Sequence, residues 1–336
     1  MKSRDEFLDG QFKAIEKAVN SAYKAANKAI QRQMTEYLKE YTPLQETLEN
    51  SLKKGDISEK EYKQQIQQTV FRGKQWRQTK QEIAETLYEA DKQATDDVNE
   101  RREEIYTKSR NLTSYETEKH YGRDLGIALY LASKKDIPAE RVVDRTKDIQ
   151  YYRRMVQTTF TKYSYRGKTL TTIGKRAVKY ITTRGSRSTG TSLKYFTWGM
   201  SDQAEWEQML DLKAKGIDIQ KQWIATLDGH TRMTHRTLDK QIQEVEDYFT
   251  VGADEIMFPR DPNAPLKETI NCRCKMKKIF PRYRDLEENH ERVENLRYID
   301  EHGKQLPRQK LPDMTYEEWE EYKQGYNEDE EDEDYE

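Results

Sequence analysis

Residues 7–41, FLDGQFKAIEKAVNSAYKAANKAIQRQMTEYLKEY, place Leu8, Phe12, Ile15, Val19, Ala22, Ala26, Ile30, Met34 and Tyr37 three or four positions apart. That interval stacks side chains along one face of a helix. The other faces carry mainly Lys, Glu, Gln and Asn, so the stretch predicts a long helix with a narrow apolar seam, the kind buried in a bundle or coiled coil. Downstream, Lys53-Lys54-Gly55 reads as a helix end, and Ser58 with Glu61 has the spacing of a capping box that opens the next helix. A further stripe runs through Trp76, Ile83, Leu87, Ala90, Ala94, Val98 and Ile105, and no proline falls between Pro43 and Pro138. Residues 1–110 are therefore expected to form a long-helix region, and 111–150 a helical connector. Shorter helices are expected at Leu125 to Ala132 and from Ala139, after Pro138, to Phe160.

Composition agrees with a helical reading. The chain has 59 Lys and Arg against 61 Asp and Glu, a net charge of -2 with 36% charged residues, and it carries 22 Tyr and 5 Trp. Amphipathic rings can supply the core that aliphatic side chains supply elsewhere. The expected fold is mainly α, elongated, with long N-terminal helices and a small C-terminal α+β module. No apolar run of about 18 residues occurs and the start MKSRDEFLDG lacks an apolar signal core, so neither membrane spanning nor classical export is expected, and the protein is read as soluble and intracellular. Cys272 and Cys274 are the two cysteines, too close together for an ordinary disulfide framework.

Residues 151–200 form a basic aromatic segment. Between Gln150 and Ser201 lie Arg153, Arg154, Lys162, Arg166, Lys168, Lys175, Arg176, Lys179, Arg184, Arg187 and Lys194, with no acid. Tyr151, Tyr152, Phe160, Tyr163, Tyr165, Tyr180, Tyr195, Phe196 and Trp198 are interleaved, and Gly167, Gly174, Gly185 and Gly190 suggest flexibility. Cations that neutralise phosphates beside rings that stack suit nucleic acid, with Arg153, Arg154, Arg166, Lys168, Lys175, Arg176, Lys179, Arg184 and Arg187 as candidate DNA contacts. A basic surface facing an acidic partner, or the chain's own tail, explains the same charges. Residues 286–326 read as a helical or irregular extension and 327–336, NEDEEDEDYE, as a disordered acidic tail.

The chemistry concentrates in 201–285. Trp223-Ile224-Ala225 reads as a short buried strand, Asp228-Gly229 as its turn and Thr231 to Leu238 as a short helix, with Pro259, Pro262 and Pro265 imposing an irregular loop. Two clusters arise, Asp228, His230 and His235 in one and Cys272 with Cys274 in the other. Two thiolates and one or two imidazoles suit tetrahedral zinc, with Asp228 or His230 as fourth ligand. Equally, His235 can be a hydrogen-bonded core histidine and the cysteines small buried apolar residues. Asp228 and Arg232, four apart, can form an ion pair, and Asp228, His230 and His235 can share general-base work.

The ordered set Trp223, Asp228, Thr231-Arg232, His235, Leu238-Asp239, Phe249, Pro259-Arg260-Asp261-Pro262 and Asn271-Cys272-Arg273-Cys274 resembles the bacteriophage Mu F-like head morphogenesis family, minor head (minor capsid) proteins of tailed phages. Two positions depart from it. Lys240 stands where the family often has Gly, and His230 is not a typical family position. The resemblance implies a non-enzymatic virion protein made in the host cytoplasm and housed in the head interior near the portal. Its implied partners are the phage portal protein, double-stranded phage DNA, and scaffold or major capsid protein, with a role in genome ejection. The alternative is a phage-delivered metal-dependent nuclease or transferase effector. The segment after Cys274 is too short and polar for a fused enzyme domain, which favours the structural role. On this reading the helical region supplies extended contacts and can be removed from a folded C-terminal module.

Overall fold

The computed structural model describes residues 3–122, 124–130, 147–165, 169–281 and 314–333. The chain is mainly α, with long N-terminal helices and a small C-terminal region of short antiparallel strands and helices. The apolar seam of the opening stretch lies in α1 (Arg4–Lys39), where all the stripe residues except the half-buried Phe12 are buried. Helix α2 (Thr42–Lys54) starts with a proline in its first turn and stops at Gly55, whose φ of 82° lets its backbone N–H close on Leu52 O. Ser58 then makes the full capping box of α3 (Glu59–Val70), its N–H donating to Glu61 Oε2 at 2.8 Å while Glu61 N–H donates to Ser58 Oγ at 3.3 Å. Helices α4 (Lys74–Glu100) and α5 (Arg102–Tyr121) complete the region.

The expected helix at Leu125 to Ala132 does not form in its described part, since residues 124–130 are irregular. Side-chain acceptors take the place of helix carbonyls there. Glu118 Oε1 accepts from Leu125 N–H at 3.0 Å, Asn111 Oδ1 accepts from Tyr130 N–H at 2.7 Å, and Gly126 sits at a φ of 66°. Helix α6 (Ile149–Ser164) starts after Asp148, which caps it by accepting from Tyr151 N–H at 2.7 Å, and residues 139–146 of the expected helix lie outside the described residues. Helix α7 (Leu170–Ala214) runs through the boundary expected at residue 200.

Two compact units each draw on distant segments of the chain. One unit comprises Met1–Gly10, Arg101–Arg141 and Tyr195–Glu336, and the other Gln11–Glu100 and Val142–Lys194. In the second, Trp76 is fully buried with ring centroids of Phe71 and Phe160 at 5.1 and 5.0 Å, and its Nε1–H donates to Gln157 Oε1 at 3.0 Å. Gly174 and Gly185 are not flexible joints but points of close helix approach. A Cβ on Gly185 would lie 2.5 Å from Tyr23 Cε1, and one on Gly174 2.7 Å from Leu38 Cδ1.

In the first unit, β1 (Gln220–Ile224) lies between β2 (Ile242–Glu244) and β5 (Lys275–Ile279), antiparallel to both, with Trp223 opposite Met276. A hairpin of β3 (Phe249–Val251) and β4 (Asp254–Ile256) adds Phe249, Val251 and Ile256 to the core holding Trp223, Leu238, Cys272 and Cys274. Short helices α8 (Met233–Thr237) and α9 (Leu266–Thr269) flank these strands. Lys240 holds a φ of 67° while its N–H donates to Trp223 O at 2.8 Å, so the backbone adopts the left-handed conformation without glycine's freedom. The last helix, α10 (Tyr316–Glu333), extends into the acidic run expected to be disordered. Its start is fixed by a Thr315–Glu318 capping box and by burial of Tyr316 and Trp319, and Glu propagates helix well. Phe7 and Ile105, both within residues 1–110, share a core cluster with Met200 of α7 and with Tyr316 and Trp319 of α10.

Candidate functional site

The turn after β1 and the turn before β5 are joined by hydrogen bonds. Thr226 Oγ1–H donates to Arg273 O at 2.8 Å, and Arg273 Nη1 and Nη2 donate to Asp228 Oδ2 and Oδ1 at 2.5 and 2.7 Å. Asp228 Oδ1 also accepts from His230 N–H at 2.9 Å, which makes the tight turn that starts α8. The Arg273 fork, with the His230 N–H after it, holds the Asp228 carboxyl well below the usual carboxylate range. Asn271 takes a φ of 54°, a conformation asparagine tolerates better than most residues, and that turn swings Cys272 back into the core.

This arrangement gathers His235, Cys272 and Cys274. Their ligand atoms all lie within 4.8 Å of one another, and all three residues are buried. His235 Nδ1 is 3.4 Å from Cys274 Sγ and 3.6 Å from Cys272 Sγ. For zinc–sulfur and zinc–nitrogen bonds of ordinary length at a tetrahedral angle, ligand nitrogen and sulfur stand roughly 3.6 Å apart, so the donor set fits that ion. On the far side of the ring, His235 Nε2 stands 3.2 Å from Glu268 Oε2, the position of a carboxylate that orients a ligating imidazole. Thr234 Oγ1–H donates to that same carboxylate oxygen at 3.0 Å, and Trp223 packs edge-on against the imidazole with centroids 5.4 Å apart. The Cys272 thiol donates toward Cys274 and, with the Thr226 backbone and Trp223, pushes Cys274 down to about 7 despite its burial. Cys272 is raised by the same hydrogen bond and by burial. One thiolate is thus accessible near neutral pH, the form a metal requires.

Two expected ligands are placed elsewhere. Asp228 is committed to Arg273 and His230 is exposed, so neither joins the group. Asp228 does not pair with Arg232 either. Arg232 Nη2 donates to Ile270 O at 2.5 Å, because α8 begins after Arg232 and the two residues do not share a helix. The proline-bearing loop has a role of its own. Arg260, at a φ of 63°, donates through Nη1 to Cys272 O at 2.8 Å and through Nε to Asp202 Oδ2 at 2.7 Å, while Asp261, between Arg260 and Pro262, accepts from Met257 N–H at 3.1 Å. Asp202 also receives Arg4 Nη2 at 2.5 Å, which binds α1 to the motif loop. Glu268, Asp202, Arg4 and the fully buried Lys221 were missed because their partners lie dozens to hundreds of residues away. Arg4, ahead of the apolar seam that starts at Leu8, offered no signal.

The basic segment is divided between α6 and α7. Lys175, Arg176, Lys179, Arg184 and Arg187 are exposed on α7, Arg154 is exposed and Arg153 half-buried on α6, and none of these makes an ion pair among the described residues. Arg166 and Lys168 lie outside the described residues. The interleaved rings are mostly core or half-buried. Tyr152 and Phe160 are fully buried, so the expected stacking platform is not formed by them.

No family model and no solved structure matches the chain. Over 78 residues, 23% of this chain, the sequence is 37% identical to the "NAD(+)--arginine ADP-ribosyltransferase EFV" of Enterococcus faecalis (strain ATCC 700802 / V583), and the match spans 15% of that protein's length. This similarity to a protein named as an enzyme overturns the expectation of a non-enzymatic chain. That expectation rested on the family resemblance, supported by the shortness of the segment after Cys274, and segment length does not exclude a site assembled across the fold, as the meeting of His235 with Cys272 illustrates.

Proposed function

We propose that this chain is a minor head protein of a tailed phage, held at the portal inside the assembling head, in contact with packaged double-stranded DNA, and leaving with the genome at ejection. The observation that carries the reading is the convergence of the motif residues. Trp223, His235, Cys272 and Cys274, scattered over about fifty positions, meet in one buried knot tied by Arg260 and Arg273. Residues that do no more than pad a surface have no need to meet, whereas a module that docks as one rigid body does. Unpaired cations on α6 and α7 supply the phosphate contacts. Zinc on His235, Cys272 and Cys274 would close the module, contributing folding energy by tying α8 to the β5 turn. Mass spectrometry of purified virions and portal-bearing procapsids is the test. Detection in both is expected, and absence from both refutes the reading.

A second reading is favoured by the match to the transferase: a phage-delivered effector that transfers ADP-ribose from NAD(+) to arginine. Incubation with labelled NAD(+) and an arginine-rich acceptor separates the two. Stoichiometric labelling supports the effector, and an unlabelled acceptor at protein concentrations matching the substrate removes it.

A further inference from the structure

Within the second unit, α1 and α7 enclose an open groove of about 720 Å³. Its walls include Asn20, Lys24 and Asn27 of α1 and Lys175, Lys179, Thr183 and Arg187 of α7, with no acidic residue among them. Lys24, Lys175, Lys179 and Arg187 are exposed and make no ion pair among the described residues. A second hollow, of about 330 Å³, shares Gln31 and Lys175 with the first and continues toward the start of α7. The two together make one trough that follows the helix pair. At about 1.5 Å per residue, the cations from Lys175 to Arg187 are spread over roughly 18 Å, a distance that several successive phosphates of one strand occupy.

We infer that this α1–α7 trough seats the sugar–phosphate backbone of one strand of duplex DNA. The inference rests on the DNA contact proposed above and specifies it, because α1 contributes Lys24, Asn20 and Asn27, none of which belongs to the basic segment. The chemistry of the walls decides the ligand class. Four cations answer phosphate charge, and the Asn20 amide and Thr183 hydroxyl beside them can donate to phosphate oxygens. No ring is available for stacking: Tyr23 is the one aromatic in the lining of this part, it is 3% exposed, and its hydroxyl is engaged by Tyr152 at 3.1 Å and Thr189 at 2.9 Å. A trough with charge and donors but no stacking platform binds backbone without reading bases and favours duplex over single strands, whose binders rely on stacked rings.

The full chain is titrated with fluorescent duplexes of unrelated sequence, and with a single strand of equal phosphate number, over a range of salt. Similar affinity for all duplexes, weaker single-strand binding and a steep salt slope are expected. The triple variant Lys24→Gln, Lys179→Gln, Arg187→Gln should flatten the slope of log affinity against log salt by about 0.9 for each contact removed. Asn20→Asp with Thr183→Glu, which adds charge to the walls without removing a cation, should weaken binding in the same direction. All these positions are exposed, and an unchanged circular-dichroism melt certifies the fold. If duplex binding survives both variants but falls in Arg153→Gln, Arg154→Gln, the trough is refuted while DNA contact stands. A wild-type chain that binds no duplex at low salt overturns both.

Discussion

Replacing Asp202 by Asn preserves the side chain's shape and removes its charge from between two guanidinium groups. Asp202 is fully buried, with Arg4 Nη2 at 2.5 Å and Arg260 Nε at 2.7 Å. At an effective dielectric of about 20, unit charges about 4 Å apart attract by roughly 4 kcal/mol. Two such attractions are lost, offset by no longer burying a carboxylate, and Glu205 still holds Arg4 at 2.6 Å. The net lands in the range seen when one partner of a buried pair is removed, about 3–5 kcal/mol. In urea, with a slope of about 1–3 kcal/mol per molar, that moves the unfolding midpoint by roughly 1 M or more. Tryptophan fluorescence reports it locally, because the Arg260 guanidinium lies 4.5 Å from the Trp198 ring centre. Pairing Asp202→Asn with Arg260→Gln should recover part of the loss, and the cycle isolates the coupling. Glu16→Gln, which breaks the exposed pair with Lys194, serves as control and should leave the midpoint in place. An Asp202→Asn midpoint no lower than that control refutes the claim that this knot fastens α1 to the motif loop.

Lys221 is fully buried, its Nζ donates to Met257 O at 2.8 Å, and burial pushes it down to about 7. Between that value and the unfolded value near 10.4 the unfolded chain binds more protons, so stability should rise with pH across the window by up to roughly 4–5 kcal/mol. Urea midpoints measured from pH 7 to 10 should show the rise in the wild type and not in Lys221→Met; parallel profiles would sink the assignment. If zinc binds His235, Cys272 and Cys274 as proposed, Glu268→Gln should weaken it by about 10–100-fold in a chelator competition, and an unchanged affinity would deny Glu268 an orienting role on His235. Two glycines of α7 should part company on replacement by Ala, read by thermal melts. Gly190→Ala, whose nearest neighbour is Val19 Cγ1 at 4.0 Å, should gain about 0.5–1 kcal/mol of helix propensity. Gly185→Ala should instead lose about 1–3 kcal/mol against the Tyr23 ring, and two stabilising outcomes would show that the helices can separate without cost.

What was legible in the sequence is local. The stripe from Leu8 to Tyr37, the Ser58–Glu61 cap and the Trp223 strand are set by side-chain period and by donors a few residues apart, and hydrogen bonds and burial at that range leave a pattern in the chain itself. The motif residues were also visible as a set, and His235, Cys272 and Cys274 do meet. Which atoms they meet was decided only in three dimensions. Asp228 had plausible uses as a metal ligand or as partner of Arg232, and it turned to Arg273 because the β1–β5 register brings the two turns together. The irregular path at 124–130 followed from acceptors on Glu118 and Asn111, and the interleaved units followed from cores shared by segments as far apart as Phe7 and Trp319. Contacts between residues so far apart in the chain leave no period in it, because each depends on the packing of every element between them.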